Sequence, residues 1–184
     1  MPLEGREIVV CVTGSIAAYK AAELVSELTK RKARVSVIMT RGAQEFITPL
    51  TLETLSHNRV VTEVFEREVF FYPTHTTLAE RAELVAIAPA TANILGKIAH
   101  GIADDPVSTF LLAAHCPVLH APAMNEHMWR NAVVQENVAK LRRLGHHFVD
   151  PEEGPLACGT IGEGRLAATP AILAAIERIL AAGA

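Results

Sequence analysis

Several features that would assign a function at once are scarce or missing in this sequence. The 184 residues contain only three cysteines, Cys11, Cys116 and Cys158, and these are far apart. An odd number of cysteines with this spacing fits neither the disulfide framework of a secreted protein nor a clustered zinc site. We therefore predict no metal site and expect a reducing compartment, the cytoplasm.

The sequence also lacks a strong charge and a long apolar run. Seventeen basic residues stand against twenty acidic ones, a formal net charge of −3, and no basic stripe interleaved with aromatic residues is present, which argues against nucleic acid as a partner. No run reaches the roughly 18 apolar residues of a membrane span, and the start, M-P-L-E-G-R-E, lacks the pattern of a signal peptide. We expect a soluble protein without a membrane partner.

Short apolar runs alternate along the chain with longer stretches of helical spacing. The runs are 8–12, 35–39, 84–88, 117–120 and 146–149, and the predicted helices are 15–32, 90–100, 106–114, 131–144 and 170–182. Runs such as I-V-V-C-V are continuously apolar, as strands buried on both faces are. No repeat or linker divides the chain. The pattern predicts a single α/β domain over 1–184, a doubly wound parallel sheet of Rossmann-like or flavodoxin-like type with helices on both faces.

Small polar residues follow the first apolar run, at the edge of the sheet where such folds bind ligands. In T-G-S-I-A-A-Y-K, Gly14 can form a tight turn and Ser15 can open a helix with its N–H groups directed at an anion. The segment is neither G-x-G-x-x-G nor a P-loop, so a single phosphate, as in FMN, fits better than a dinucleotide. The structural alternative is a turn and a helix cap without a ligand.

Two further strand ends have the same character. Thr40 follows the second run, and A-P-A-T-A-N follows the third. Thr91 and Asn93 can hydrogen-bond a heteroaromatic ring, while the alanines allow it to come close. Helix capping is the competing role for both side chains, and one residue can do both.

Three polar residues stand in settings that core packing does not favour: His75 in P-T-H-T-T-L, Asn125 in P-A-M-N-E-H-M-W, and Cys158 in P-L-A-C-G-T-I-G-E-G-R. The Cys158 segment has four glycines, at 154, 159, 162 and 164, so we predict a loop there rather than a strand or helix. Together these motifs resemble the phosphopantothenoylcysteine decarboxylases of the flavin-containing cysteine decarboxylase family. The second motif matches the pattern Pro-x-Met-Asn-x-x-Met-Trp at every fixed position.

The resemblance implies FMN as the cofactor and a coenzyme A biosynthetic reaction. The substrate would be 4′-phospho-N-pantothenoylcysteine, whose thiol is oxidised to a thioaldehyde so that carbon dioxide can leave, after which the ene-thiol is reduced to 4′-phosphopantetheine. The residues that match the flavin contacts of the family are Gly14, Ser15, Ile16, Thr40, Thr91, Ala92, Asn93 and Ile94.

The three polar residues take catalytic roles in this reading. Asn125 is neutral and can orient a carboxylate without stabilising its charge as strongly as arginine would. His75 matches the histidine that acts in oxidation and decarboxylation, and Cys158 matches the thiol that donates a proton during the final reduction. For the substrate-binding set the resemblance adds Met128, Ala157 and Arg165 to Asn125, with an ordinary surface ion pair as the competing role of Arg165.

The resemblance also implies partners. The family builds its active site between the subunits of a trimer, and trimers can assemble into a dodecamer; many bacteria fuse this decarboxylase to the phosphopantothenate–cysteine ligase that makes its substrate. Three other functions remain open: a peptidyl-cysteine decarboxylase, which needs no reducing step, a flavin prenyltransferase, and a non-catalytic FMN-binding regulatory subunit.

Overall fold

A computed structural model describes residues 3–64, 74–155, 159 and 161–183, with the backbone alone at 74–77. The strands are β1 (Glu7–Val12), β2 (Arg34–Met39), β3 (Leu84–Ala90), β4 (Val118–Pro122), β5 (His147–Phe148), β6 (Glu152–Pro155) and β7 (Ile161–Arg165). The α-helices are α1 (Lys20–Lys30), α2 (Arg41–Gln44), α3 (Pro49–Ser56), α4 (Thr74–Arg81), α5 (Ala92–His100), α6 (Pro106–Ala113), α7 (Glu126–Trp129), α8 (Ala132–Arg143) and α9 (Thr169–Ala182), and a 3₁₀ turn, Ile16–Tyr19, precedes α1.

The central sheet has five parallel strands in the order β2-β1-β3-β4-β5. This is the flavodoxin-like order, in which the chain reverses direction across the sheet between β1 and β3. The predicted fold class is confirmed, and each of the five apolar runs lies on one of these strands.

Helices cover both faces of this sheet because the strands are apolar on both sides. Along β1, Ile8, Val10 and Val12 pack with α1, α3 and α9. The alternate residues Val9 and Cys11 pack with α4, α5, α6 and α8 on the opposite face. Side chains of a strand point to alternate faces, so a strand between two helical layers must be apolar throughout.

The glycine-rich segment near Cys158 differs from its prediction. Strands β6 and β7 form an antiparallel hairpin, with Gly154 and Gly162 paired in register. The expectation that this segment is too rich in glycine for a strand was wrong. Its backbone pairs with itself and packs closely on α7, which glycine favours because it has no side chain. Ala157 and Cys158 lie outside the described residues.

Two further comparisons with the sequence concern helices. Helices α2, α3, α4 and α7 were not predicted, because each is short and gives little helical periodicity. The segment 65–74, left unassigned from the sequence, lies outside the described residues except for Thr74, where α4 begins. In the part of the chain that the structure describes, no helix combines the length and apolar character needed to cross a membrane.

Candidate functional site

The carboxyl ends of β2, β1, β3 and β4 meet at one edge of the sheet, where the strand order reverses. A cavity of about 480 Å³ lies over these ends, within the size range of small-molecule sites. We call it the strand-end cavity. It is lined by Thr13, Gly14, Ser15, Thr40, Arg41, Gly42, Thr91, Ala92, Asn93, Ile94, Lys97, Asp105, Ala123, Met124 and Met128.

Three hydroxyl side chains in the wall of this cavity cap the first turns of helices. Ser15 Oγ accepts a hydrogen bond from the N–H of Ala17, Thr40 Oγ1 from Ala43, and Thr91 Oγ1 from Ile94. A hydroxyl that accepts in this way still has its own proton to donate. The wall therefore combines three hydroxyl donors with backbone N–H groups at helix starts, a set suited to oxygen-rich anions and to the polar edge of a ring.

A close approach of two glycines shapes the floor of the cavity. A Cβ atom on Gly14 would lie 3.0 Å from the carbonyl carbon and 3.2 Å from the Cα of Gly42. Both neighbouring atoms belong to the backbone, so any side chain at 14 would push the β1 turn and α2 apart. Gly14 therefore keeps the two strand ends close together.

Lys97 brings a cation to the same wall, but its charge is neutralised. Its Nζ lies 2.7 Å from Asp105 Oδ2 and 2.5 Å from Asp104 Oδ1. Burial by itself lowers the pKa of Lys97, but the hydrogen bonds to Asp104 and Asp105 outweigh it and hold the pKa above its usual value. Arg41, by contrast, is exposed and forms no ion pair with another described residue.

A second cavity of about 530 Å³ adjoins the first, and Ser15, Ala123 and Met124 line both. We call it the hairpin cavity, because the β6–β7 hairpin forms part of its wall. Lys20 and Arg165 bring two positive charges to it, and neither forms an ion pair with another described residue. Its lining is Ser15, Ile16, Ala17, Tyr19, Lys20, Ala123, Met124, Asn125, Pro155, Gly164, Arg165 and Leu166.

Asn125 lies in the wall of the hairpin cavity, at the start of α7. Its Oδ1 accepts a hydrogen bond of 2.9 Å from the N–H of His127, so the side chain caps the helix. This bond fixes the orientation of the amide, with its NH₂ group as the donating end. The side chain of Asn125 therefore both caps α7 and lines the cavity.

The hairpin packs directly against the loop that carries Asn125. The carbonyl of Gly164 accepts a hydrogen bond of 3.0 Å from the N–H of Met124. A side chain on Gly164 would run into the Met124 carbonyl, and one on Gly162 into the Glu126 carboxylate. Glu126 in turn pairs with Arg130 at 2.8 Å. The glycine at 164 therefore allows backbone to pack on backbone, and the glycine at 162 leaves room for the Glu126 side chain.

Two histidines that line neither cavity are paired with each other: His120, on β4, and the half-buried His146, just before β5. Nε2 of the fully buried His120 lies 2.8 Å from Nδ1 of His146, and Nδ1 of His120 has no hydrogen-bond partner among the described residues. If Nε2 of His120 carries the proton, Nδ1 is an acceptor without a described partner rather than a buried N–H donor without one. Burial, and then His146, lower the pKa of His120 well below its usual value.

The structure places most of the site residues named from the sequence at these adjoining cavities. The proposed flavin contacts other than Ile16 line the strand-end cavity, whereas Ile16, Asn125 and Arg165 line the hairpin cavity. Met128 faces the strand-end cavity. His75 stands in the first turn of α4, where its side chain lies outside the described residues, as do Ala157 and Cys158.

Sequence reasoning missed Thr13, Lys20, Gly42, Lys97 and Asp105. For Thr13 and Gly42 the available signal was proximity to a strand end, since both follow an apolar run within a few residues. For Lys20 the signal was a basic residue five positions after Ser15, just past the predicted phosphate turn. For Lys97 the signal was its position one helical turn after Asn93, on the same side of a helix.

A family model and several curated proteins are similar to this chain over most of its length. The family model described as "Flavoprotein" matches residues 1–181. "Coenzyme A biosynthesis bifunctional protein CoaBC" of Bacillus subtilis is 47% identical over 164 residues, which are 89% of this chain and 40% of that protein. "Probable phosphopantothenoylcysteine decarboxylase" of Streptococcus mutans is 43% identical over 177 residues, 95% of this chain and 99% of that protein. The chain thus spans about 40% of the length of the bifunctional Bacillus relative.

Solved structures with the same fold include two with informative names. The FMN-dependent cysteine decarboxylase SpaF superposes with a TM-score of 0.83 at 32% identity, covering 99% of this chain and 98% of that one. A PPC decarboxylase variant complexed with pantothenoylaminoethenethiol superposes with a TM-score of 0.84 at 27% identity, covering 95% and 98%.

Proposed function

The chain belongs to the flavoprotein family, and we propose that it is an FMN-dependent carboxy-lyase that converts 4′-phospho-N-pantothenoylcysteine to 4′-phosphopantetheine in coenzyme A biosynthesis. The observation that carries this proposal is the position of Asn125 in a cavity that adjoins the strand-end cavity and holds two cations, Lys20 and Arg165, that form no ion pair with another described residue. The substrate has a carboxylate at one end and a phosphate at the other, and this arrangement matches both.

The residues of the strand-end cavity fit FMN. Hydroxyls and helix-start N–H groups at Ser15, Thr40 and Thr91 suit the phosphate and the polar ring edge. Gly14 adds no side chain to the floor of the cavity, and Arg41 supplies positive charge for the phosphate. When bound there, FMN would supply a reversible two-electron acceptor for oxidation of the thiol-bearing carbon of the substrate. Lys97, neutralised by Asp104 and Asp105, adds no net positive charge to this wall.

Asn125 would hold the carboxylate that leaves. Its Oδ1 is occupied by the N–H of His127, so the NH₂ end is the part that donates to a ligand. A neutral donor orients the carboxylate but stabilises its charge less than a cation would, and carbon dioxide forms by loss of that charge. Oxidation of the thiol to a thioaldehyde places C=S next to the α-carbon, so the electrons of the broken bond enter C=S and give an ene-thiolate.

The other end of the substrate would lie between Lys20 and Arg165. A phosphate carries close to two negative charges at neutral pH, and both side chains line the cavity without a carboxylate partner among the described residues. We therefore assign Arg165 to substrate binding and add Lys20 to it. Met128 and Ala157 stay in the proposed substrate-binding set on the resemblance alone.

His75 and Cys158 complete the proposed machinery. We assign His75 to proton transfer during oxidation and decarboxylation, and Cys158 to protonation of the ene-thiol carbon during its reduction. Both assignments rest on the sequence motifs. The overall reaction is balanced: the substrate loses its carboxylate as carbon dioxide and takes up one proton at carbon, and no external oxidant is consumed.

Assembly and cellular context are also proposals. We infer a trimer, alone or within a dodecamer, and a cytoplasmic location, from the known family. The bifunctional relatives support a partnership with phosphopantothenate–cysteine ligase, either fused or separate.

The test is a substrate comparison with purified, FMN-loaded protein. We expect rapid release of carbon dioxide from phosphopantothenoylcysteine, slower release from pantothenoylcysteine, which lacks the phosphate, and none from a peptide ending in cysteine. Preference for the peptide would instead favour a peptidyl-cysteine decarboxylase. A protein that stays colourless and does not take up FMN would contradict the cofactor and the reaction together.

The Cys158→Ser variant tests the final step separately. We expect it to release carbon dioxide once, leave the ene-thiol unreduced and keep the yellow absorbance bleached. Normal turnover by this variant would remove Cys158 from the mechanism.

A further inference from the structure

Thr13, at the end of β1, makes an unusual set of hydrogen bonds. Its side chain is 1% exposed, and its Oγ1 donates to the carbonyl of Pro89 at 2.7 Å. The same oxygen accepts a hydrogen bond of 3.1 Å from the N–H of Thr91. One hydroxyl therefore connects the end of β1 to the residues on either side of Ala90, at the end of β3.

These contacts reproduce the pattern of a parallel β-ladder. In such a ladder one residue donates its N–H to residue j−1 of the neighbouring strand and accepts at its carbonyl from residue j+1. Backbone pairing between β1 and β3 runs only as far as Cys11 and Ile87. Two residues further along β1, the hydroxyl of Thr13 takes over both roles with Ala90 as residue j, one residue beyond the position that the Cys11–Ile87 register would give.

The backbone of Thr13 is engaged elsewhere, which is why the side chain is needed. The Thr13 carbonyl accepts from the N–H of Ser15 at 2.9 Å, and this bond forms the tight turn through Gly14. The chain can thus leave the sheet abruptly and open the strand-end cavity, while the hydroxyl keeps the end of β3 bonded to the end of β1.

We propose that Thr13 is a positioning residue that acts through Thr91. Thr91 caps α5, so the bond from its N–H to Thr13 sets where the ring-facing wall of the cavity begins. The hydroxyl of Thr13 donates mainly to the Pro89 carbonyl, at 2.7 Å, and more weakly to the Thr91 hydroxyl, at 3.3 Å. The proton of the Thr91 hydroxyl can then be directed to a group in the cavity. The ligand in this inference, FMN, rests on the proposed function.

The experiment compares three variants of the full chain. Thr13→Val keeps the shape of the side chain and removes the hydroxyl, leaving the Pro89 carbonyl and the Thr91 N–H buried without a partner. Thr13→Ser restores the hydroxyl. Thr169→Val is the matched control: Thr169 is also buried and donates to Glu23 at 2.6 Å, but it lines neither cavity.

Two readouts are needed, one of which does not involve FMN. Hydrogen exchange of the 91–94 amides in the FMN-free protein reports the connection itself, with 172–180 in α9 as the reference for global opening. Fluorescence titration reports the dissociation constant for FMN. In Thr13→Val we expect exchange at 91–94 to become faster than in the original protein, by a larger factor than exchange at 172–180. We also expect a roughly tenfold or larger rise in the dissociation constant for FMN, since a buried group loses its partner.

The controls separate positioning from general destabilisation. Thr13→Ser should stay within about twofold of the original protein in both readouts, and Thr169→Val should alter stability but not FMN affinity. Unchanged exchange at 91–94 in Thr13→Val, or unchanged FMN affinity in that variant, would overturn the proposal. If the original protein binds no FMN while exchange at 91–94 still rises in Thr13→Val, the proposed function fails and the connection between the strands stands.

Discussion

The backbone N–H of Met124 donates to the carbonyl of Gly164 at 3.0 Å. This bond joins the loop that carries Asn125 to strand β7 of the hairpin, which lie 40 residues apart in the sequence. Asn125, the proposed carboxylate-binding residue, and the hairpin wall of the cavity are therefore parts of one packed unit, and a change in the hairpin backbone should alter the position of Asn125.

Gly164→Ala tests this coupling. Gly164 has a φ of +151°, and a Cβ atom there would meet the Met124 carbonyl. We expect a loss of at least about tenfold in kcat/KM, since small displacements of a substrate-positioning group have large kinetic effects. Steady-state decarboxylation assays give this value.

Gly145→Ala is the control for backbone strain alone. Gly145 has a φ of +90° but no atom within 4 Å of the added Cβ. The Gly145→Ala variant should have a free energy of unfolding lower by about 1–2 kcal/mol, the cost of a left-handed conformation, and an unchanged kcat/KM. Equal kinetic losses in the two alanine variants would show that the contact with Met124 is irrelevant.

Asn125→Asp separates capping from carboxylate binding. Aspartate caps a helix as well as asparagine does, so the free energy of unfolding should change little. A negative charge beside the substrate carboxylate costs several kcal/mol, so kcat/KM should fall by roughly a hundredfold or more. Urea unfolding and decarboxylation assays measure the two effects.

Asn131 offers a matched control for this substitution. It caps α8 with a hydrogen bond of 2.9 Å to the N–H of Val133, the same geometry as that of Asn125 with His127. Asn131→Asp should be neutral in both measurements because Asn131 lines neither cavity. A fall in activity for this variant as large as that for Asn125→Asp would point to a charge effect unrelated to the site.

The fold was predictable because its signal is local. Strands β1 and β3 are continuous apolar runs, and their residues around Val10 and Ala86 are buried on both faces, which is the sequence signature of a covered parallel sheet. The hairpin was not predictable, since glycines such as Gly162 and Gly164 normally argue against strands. Glycine is needed at these two positions because they contact Glu126 and Met124, and only the tertiary structure shows these contacts.

The site was predictable only in part for the same reason. Thr40 and Thr91 follow apolar runs directly, so their place at the sheet edge could be inferred. The role of Thr13 depends on Pro89 and Thr91, more than 70 residues away, and on the early end of the β1–β3 ladder. Nothing in the sequence around Thr13 carries that information.

Gly14→Ala should weaken FMN binding. Its Cβ would lie 3.0 Å from the backbone of Gly42, whereas a Cβ on Gly42 would meet only the Cα of Gly14, at 3.5 Å. Overpacking of this kind costs about 1–3 kcal/mol, so we expect roughly a tenfold or larger rise in the dissociation constant for FMN. Gly42→Ala should have a distinctly smaller effect. Fluorescence titration of both variants decides, and the reverse order would contradict the packing argument.

The pair of His120 and His146 should make the protein less stable in mild acid. Burial, and then the partner His146, lower the pKa of His120, and burial, and then His147, lower the pKa of His146. The unfolded chain, where a histidine has a pKa of about 6.5, therefore binds more protons near that pH than the folded protein does. Stability is then present above that pKa and is lost as the pH falls below it, by up to about 1.4 kcal/mol per pH unit for each proton.

His120→Leu identifies the source of this acid sensitivity. The variant removes the buried imidazole, whose Nδ1 has no partner in the described part of the chain, and leaves the half-buried His146 able to bond with water. Urea unfolding between about pH 5.5 and 7.5, a window around the histidine pKa, should therefore show a shallower dependence of the free energy of unfolding on pH than in the original protein. Parallel curves for the two proteins would mean that His120 keeps an ordinary pKa in the folded state and is not the source of the acid sensitivity.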